Sequence, residues 1–314
     1  MKYPPAIPAL IGALLTSTSL AQDAVEEHIR AARAAAAGDW SQTVDFFCVE
    51  GAATPNSADH PLIEPTKIFD NLYAIGRTST VVYALTTSEG IVLIDSGYAD
   101  QVESVLLPGM AELGLDPADI RYVIVGHGHG DHYGGSTYWQ ERYGTRVVLS
   151  AEDWDLVEQT APPGRAQAPP PKRDVEAVEG QPITLGDVAV TPVLIPGHTA
   201  GSLGLIFPVR DGSNTHMAAL FGGTILTSGR ISDEGLRQYV RSLEHFGEVT
   251  AAMGVDVEIQ NHPLFDGMPS KLERLGRRQP GGPHPFVLAE DGYQRFLSVI
   301  ASCMRAEIAR RDAP

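Results

Sequence analysis

The chain has 314 residues, 43% of them apolar and 20% charged, with a formal net charge of −16 at pH 7. This is ordinary composition for a soluble globular protein, long enough for one large domain or two smaller ones. The acidic balance and the lack of a basic stretch argue against nucleic acid and anionic membranes as partners.

Met1-Lys2 gives a small positive start, residues 6–15 are apolar and uncharged, and Ser19-Leu20-Ala21 offers small residues for cleavage after Ala21. Residues 1–21 therefore read as a signal peptide, and a periplasmic or secreted protein is expected. The apolar run is short for a membrane span, and no longer one follows, so no membrane association is expected after export. Residues 24–37, ended by Gly38, predict a helix, and residues 51–65 a connector. Residues 68–75, 80–86 and 91–94 read as strands, and 102–113 as a helix. A buried strand over 122–125, a helix over 136–143, a strand over 145–149 and a helix over 152–159 follow. Residues 161–173 are rich in proline, which lacks a backbone donor and fixes its own φ, so a solvated loop or a flap beside a site is expected there. Strands resume at 183–185, 188–194, 203–209 and 217–221. A helix over 233–253, a short strand over 257–260 and helices over 269–278 and 287–311 complete the chain. In the last helix Phe296, Ile300, Met304 and Ile308 form a stripe read as packing. Strands and helices, then strands and helices again, predict two layered halves with helices outside, meeting at one site.

The chain has two cysteines, Cys48 and Cys303. A bridge between them would close a very long loop, contributing roughly 4–5 kcal/mol in the chain-entropy model. Two buried thiols are the alternative. Neither lies near a histidine cluster, so neither reads as catalytic.

The densest chemistry is His127-Gly128-His129-Gly130-Asp131-His132, after the strand at 122–125 and before Gly134-Gly135. Neutral imidazole and carboxylate are ligands that suit zinc, and Gly128 and Gly130 are expected to give the loop its freedom. His198, in Pro196-Gly197-His198-Thr199-Ala200-Gly201-Ser202, follows the strand at 188–194, and His262 follows the strand at 257–260. Each is placed to project from the same end of a sheet.

Together with Leu93-Ile94-Asp95-Ser96-Gly97, these motifs stand in recognisable order across residues 65–262. The chain resembles the metallo-β-lactamase-fold hydrolases. The resemblance implies an α/β protein, a four-layer αββα sandwich over residues 66–314, preceded by an N-terminal helix and connector at 22–65. It implies two zinc ions, one held by His127, His129 and His198, the other by Asp131, His132 and His262. Asp95 would orient a ligand, a turn-capping aspartate being the alternative. Glyoxalase II-like thioesterases and lactonases of the family carry a metal-bridging aspartate after the strand at 217–221, and one set of β-lactamases carries a zinc-binding cysteine there. Here Phe221-Gly222-Gly223-Thr224 supplies neither. What remains is the histidine and aspartate set of the third β-lactamase subclass, which residues 67–76 also resemble.

The implied activity is hydrolysis of a small-molecule carbonyl compound by metal-bound hydroxide. A β-lactam is the first expected substrate, and a lactone or other ester the alternative. Asp131 would orient the nucleophile and accept a proton. No lysine stands past the strand at 217–221 to hold a substrate carboxylate; Thr224, Thr227 and Ser228 are the candidates there. Tyr133 is a candidate pocket residue, with packing as the alternative. No Gly-x-Ser-x-Gly elbow indicates covalent catalysis.

Overall fold

Alternating apolar side chains build two sheets that share one inner core. The computed structural model describes residues 11–49, 60–159, 170–226 and 231–313, with side chains from residue 22 onward. Strands β1 (Thr66–Phe69), β2 (Leu72–Arg77), β3 (Thr80–Thr87), β4 (Gly90–Ile94), β5 (Ile120–Ile124), β6 (Arg146–Ser150) and β7 (Val175–Ala177) form a seven-stranded sheet in chain order. It is antiparallel from β1 to β4 and parallel from β4 to β7. Strands β8 (Ile183–Leu185), β9 (Val188–Leu194), β10 (Leu203–Asp211), β11 (Asn214–Phe221) and β12 (Val257–Ile259) form the second sheet, ordered β12-β11-β10-β9-β8. Val81, Tyr83 and Leu85 of β3 and Val92 and Ile94 of β4 meet Leu203, Leu205, Phe207 and Leu220 between the sheets. Their neighbours Val82, Ala84, Ile91 and Leu93 face the other way, as the period of two requires.

Helices α1 (Ile11–Ala36), α2 (Ser41–Val44), α3 (Leu107–Glu112), α4 (Gly130–Tyr133), α5 (Ser136–Tyr143), α6 (Ala151–Gln159), α7 (Asp233–Ala252), α8 (Met268–Gly276) and α9 (Gly292–Arg311) accompany the sheets. Side chains of α3, α5 and α6 cover the outer face of the first sheet, with Trp139 and Trp154 fully buried. Those of α1, α7 and α9 cover the second. The result is the αββα sandwich. No helix among the described residues is long and apolar enough to cross a membrane.

Several local expectations need correction. Residues 68–75 are not one strand: Asp70-Asn71 makes a tight turn between β1 and β2. Asn71 Oδ1 accepts from Arg210 N–H and Asp70 Oδ2 from Gly212 N–H, pinning that turn to β10. The segment at 102–113 is a wide-turned helix, Val102–Leu106, that tightens into α3, with Pro108 supplying no backbone donor at the join. The last helix begins at Gly292, because Val287 bridges to Val257 and Asp291 takes a left-handed φ of 59°. Strand β7 was not anticipated; three residues beside a proline-rich stretch carry too little periodicity. Residues 1–10 of the expected signal segment, 51–59 of the connector and 161–169 of the proline-rich stretch lie outside the described residues.

Cys48 and Cys303 form a disulfide with Cα atoms 4.8 Å apart. It ties the helical turn Asp45–Val49 to α9, beside Phe47, Phe265 and Phe296. Replacing both cysteines by serine should lower the unfolding free energy by about 2–5 kcal/mol. Urea denaturation of the oxidised protein and the double variant checks this; coincident midpoints would show that the aromatic cluster alone holds α9.

Candidate metal centre

The sheet topology gathers the site. Strands β4, β5 and β6 run parallel, so their C-terminal ends lie together. In the second sheet β11 is parallel to β12 and two antiparallel steps from β9, so these three also share a direction. The connections leaving β4, β5, β6, β9, β11 and β12 carry Asp95, residues 127–132, Asp153, His198, residues 222–224 and His262. Leu203 N–H donates to Gly126 O at 2.8 Å, joining the two sheet ends.

Tight packing sets the loop after β5. A Cβ on Gly134 would lie 2.4 Å from Gly130 O, and one on Gly135 2.4 Å from Ser96 O, so the glycine pair lets this loop lie against the turn after β4. Gly128 and Gly130 do not take a left-handed φ, contrary to the expected need for freedom. At Gly128 the reason is closeness: a Cβ would sit 3.1 Å from Asp153 O.

Two trios result, His127 with His129 and His198, and Asp131 with His132 and His262. Within each, one ligand atom per residue lies within 4.8 Å of the others. The rings of His127 and His132 are 4.0 Å apart, so the trios adjoin. His132 Nδ1–H donates to Asp95 Oδ2 at 2.7 Å, and His262 Nδ1–H to Ser79 O at 2.6 Å. The two Nε2 atoms face each other at 3.0 Å, with Asp131 Oδ2 3.4 Å from each. With both rings neutral these are three converging acceptors, which repel unless a proton or a metal cation lies among them. His127 is buried with no hydrogen-bond partner on either ring nitrogen. These orphaned, inward-facing donor atoms fit zinc, with three protein ligands per ion and room for water.

The electrostatics agree. Burial, then the neighbouring His132, holds the His127 imidazole well below its ordinary pKa, which leaves it neutral. Burial, then His129, brings His198 down to about 3, and burial lowers His129 and His262. His132 is the exception: against the effect of burial, Asp131 and Asp95 push it up to about 10. The same field favours a metal cation at that nitrogen.

Asp95 is fully buried with φ of 61°, a conformation that costs a non-glycine residue about 1–2 kcal/mol. Its carboxylate accepts from Gly126 N–H at 2.7 Å, from His132 Nδ1–H and from Asn261 Nδ2–H at 3.0 Å. It thus orients His132 rather than capping a turn. Asp95→Asn is expected to weaken metal binding at the second trio about 10–100-fold, as measured by zinc competition with a chelator. Unchanged affinity would reduce Asp95 to a turn residue.

A cavity of about 540 Å³ opens on both trios, walled by Ile225, Leu226, Ile231 and Ser232. Neither Thr224 nor Tyr133 lines it. The buried Thr224 hydroxyl faces Phe221 O and Gln260 Oε1, and Tyr133 packs among the helices of the first sheet. Thr227 and Ser228 lie outside the described residues. Gly223 has φ of 74°, and a Cβ there would stand 2.7 Å from His198 Cβ; on Gly222 it would stand 2.4 Å from Leu203 O. No bridging carboxylate fits at either position. A larger groove of about 900 Å³ lies beside the β10–β11 turn, where Arg278 is paired with Asp211 and Lys67 with Asp70.

Sequence reasoning missed Ser79 and Asn261, which orient the second trio, and Asp153. Asn261 precedes a candidate ligand histidine and Asp153 follows a parallel strand; those positions were the available signals. Burial pushes the Asp153 carboxyl above the usual carboxylate range, against hydrogen bonds from Thr199, Gly128 and Gly201 that lower it.

The sandwich and its two trios are those of a metallo-hydrolase. The family model of the metallo-beta-lactamase superfamily matches residues 75–211. It is similar to the subclass B3 metallo-beta-lactamase BJP-1 of Bradyrhizobium japonicum, at 27% identity over 76% of this chain and 90% of that one, TM-score 0.65. FEZ-1 of Legionella gormanii shares the fold at 21% identity over 81% and 99% of the two chains, TM-score 0.70. Among curated relatives, a hydroxyacylglutathione hydrolase of Methylococcus capsulatus is 27% identical over 231 residues, 66% of this chain and 82% of that protein.

Proposed function

We propose that the chain is a di-zinc hydrolase that opens the ring of a cyclic amide of the β-lactam type. The observation that carries this reading is the pair of adjoining trios beside a turn closed to any bridging side chain. His127, His129 and His198 would hold one ion, and Asp131, His132 and His262 the other. Zinc, when bound, supplies hydroxide at neutral pH and polarises a carbonyl oxygen. Asp131 stands at the cavity wall, placed to orient the attacking water and accept its proton. Asp95 and Ser79 fix the tautomers of His132 and His262. Ile225, Leu226 and Ile231 give the cavity an apolar wall against which the substrate would lie.

The similarity to BJP-1 supports a β-lactam substrate. The likeness to a hydroxyacylglutathione hydrolase raises a thioester, against which the closed Gly222-Gly223 turn weighs. Hydrolysis of a lactone or other ester by the same site is the second reading. It is favoured by the inward-turned Thr224 hydroxyl, which leaves a substrate carboxylate without that anchor. Turnover of nitrocefin, an acyl-homoserine lactone and a glutathione thioester, with zinc content measured alongside, separates the three. Exclusive turnover of lactone or thioester overturns the β-lactam reading. A periplasmic or secreted location is part of the proposal, supported by the export pattern and the disulfide. Cell fractionation tests it.

A further inference from the structure

We infer that Asp153 is a positioning residue for the first trio, its single buried carboxylate clamping together the two loops that carry His127, His129 and His198. The inference rests on the reading of that trio as a metal site.

Asp153 lies in the first turn of α6, directly after β6, so it rises at the sheet end where the ligand loops emerge. It is 1% exposed. Oδ2 accepts from Gly128 N–H at 2.7 Å, and Gly128 separates His127 from His129. The same oxygen accepts from Thr199 Oγ1–H at 2.7 Å, beside His198. Oδ1 accepts from Gly201 N–H at 3.0 Å. Ser202 Oγ, 2.7 Å from Thr199 Oγ1, accepts from Thr199 N–H at 3.1 Å and completes the second loop. The clamp is tight: a Cβ on Gly201 would lie 2.0 Å from Ser150 Oγ and 2.9 Å from Asp153 Oδ1.

Two of the three donors are backbone amides on opposite sides, so both oxygens must accept. An asparagine can satisfy only one side; its NH2 would meet an N–H on the other. A buried carboxylate also carries a large desolvation cost unless a positive charge compensates it. Among the described residues no basic side chain bonds to Asp153, and the trio it braces contains no anion of its own. A cation held by that trio would provide the compensation.

Zinc titration against a chromophoric chelator, run on the full chain, Asp153→Asn and Thr199→Val, tests the clamp. His262→Ala and His129→Ala serve as references that assign each binding step to a trio. Asp153→Asn should weaken the first trio about 10–100-fold and leave the second within about twofold. Thr199→Val, which removes one of the three bonds, should give an intermediate loss and carries the test if Asp153→Asn fails to fold. Cobalt(II) absorption should show the altered first-trio spectrum in both variants. Thermal unfolding of the metal-free variants separates positioning from bulk stability. Wild-type affinity at both trios overturns the inference, and so does equal weakening of both with a matching loss of metal-free stability. Failure of the unaltered chain to bind zinc would instead overturn the metal reading beneath it.

Discussion

His129→Ala is expected to lower turnover by about three orders of magnitude or more and to remove most of the zinc from the first trio. Water bound to zinc ionises near pH 7 and bulk water near 15.7, so losing the ion removes almost all hydroxide available at neutral pH. His129 is the right residue for the test because its loss spares the scaffold. Its backbone is extended, its N–H and carbonyl bonds lie within the loop, and its imidazole faces His198 at 2.9 Å and packs edge-on against the His127 ring. His132, by contrast, donates to Asp95, which also accepts from Asn261 Nδ2–H, so its removal would disturb a network joining both sheets. Zinc content by elemental analysis and turnover of the best substrate read the outcome together. Normal turnover with full zinc content would reject the ligand assignment.

Lys271→Met should cost about 3–5 kcal/mol of folding free energy, the largest single-residue effect expected away from the site. Lys271 is buried with Glu258 and Asp266. Its Nζ lies 2.7 Å from Glu258 Oε2 and 3.8 Å from Asp266 Oδ2, and 5.3 Å from the centroid of the Trp40 ring. One cation therefore serves two carboxylates, and Glu258 Oε1 and Asp266 Oδ2 lack hydrogen bonds. Methionine keeps most of the volume and removes the charge.

The loss should depend on pH. Burial raises the Glu258 carboxyl from 4.5 to about 7 even with Lys271 pulling it down, and burial raises Asp266 as well. Removing the lysine raises both further. A carboxyl whose folded pKa exceeds its unfolded value binds its proton more tightly in the native state. Stability is then full below the unfolded value and falls as pH rises through the folded one. The variant should thus be nearer to the wild type at pH 5 than at pH 8 in urea denaturation. A loss below about 1 kcal/mol at both pH values would show a solvated pair instead.

The candidate metal ligands were legible because they are local. The run from His127 to His132 is contiguous, and His198 and His262 each follow a strand of clear apolar pattern. Two strands were read as one, and the final helix was started too early, where tertiary contacts overrode local pattern. Asn71 turns the chain only because β10 offers it partners, and α9 starts late because Val287 pairs with Val257. Asp153 was invisible for a related reason. An acidic residue near a helix start is favourable on local grounds alone, and nothing in its neighbours reveals that Gly128 and Gly201 donate to it. Thr224 misled in the opposite direction, since a hydroxyl beside a ligand strand gives no hint of which way it turns.

The bridge from Cys48 to Cys303 spans a separation of 255 residues. It makes most of the chain a covalent ring, with 47 residues before it and 11 after it. A protease that cuts once inside the ring opens it but releases no fragment, so the nicked protein should migrate as one band until reductant is added. Closure of the ring also has to wait for synthesis of the C-terminal helix, which makes oxidation a late event in the protein's maturation.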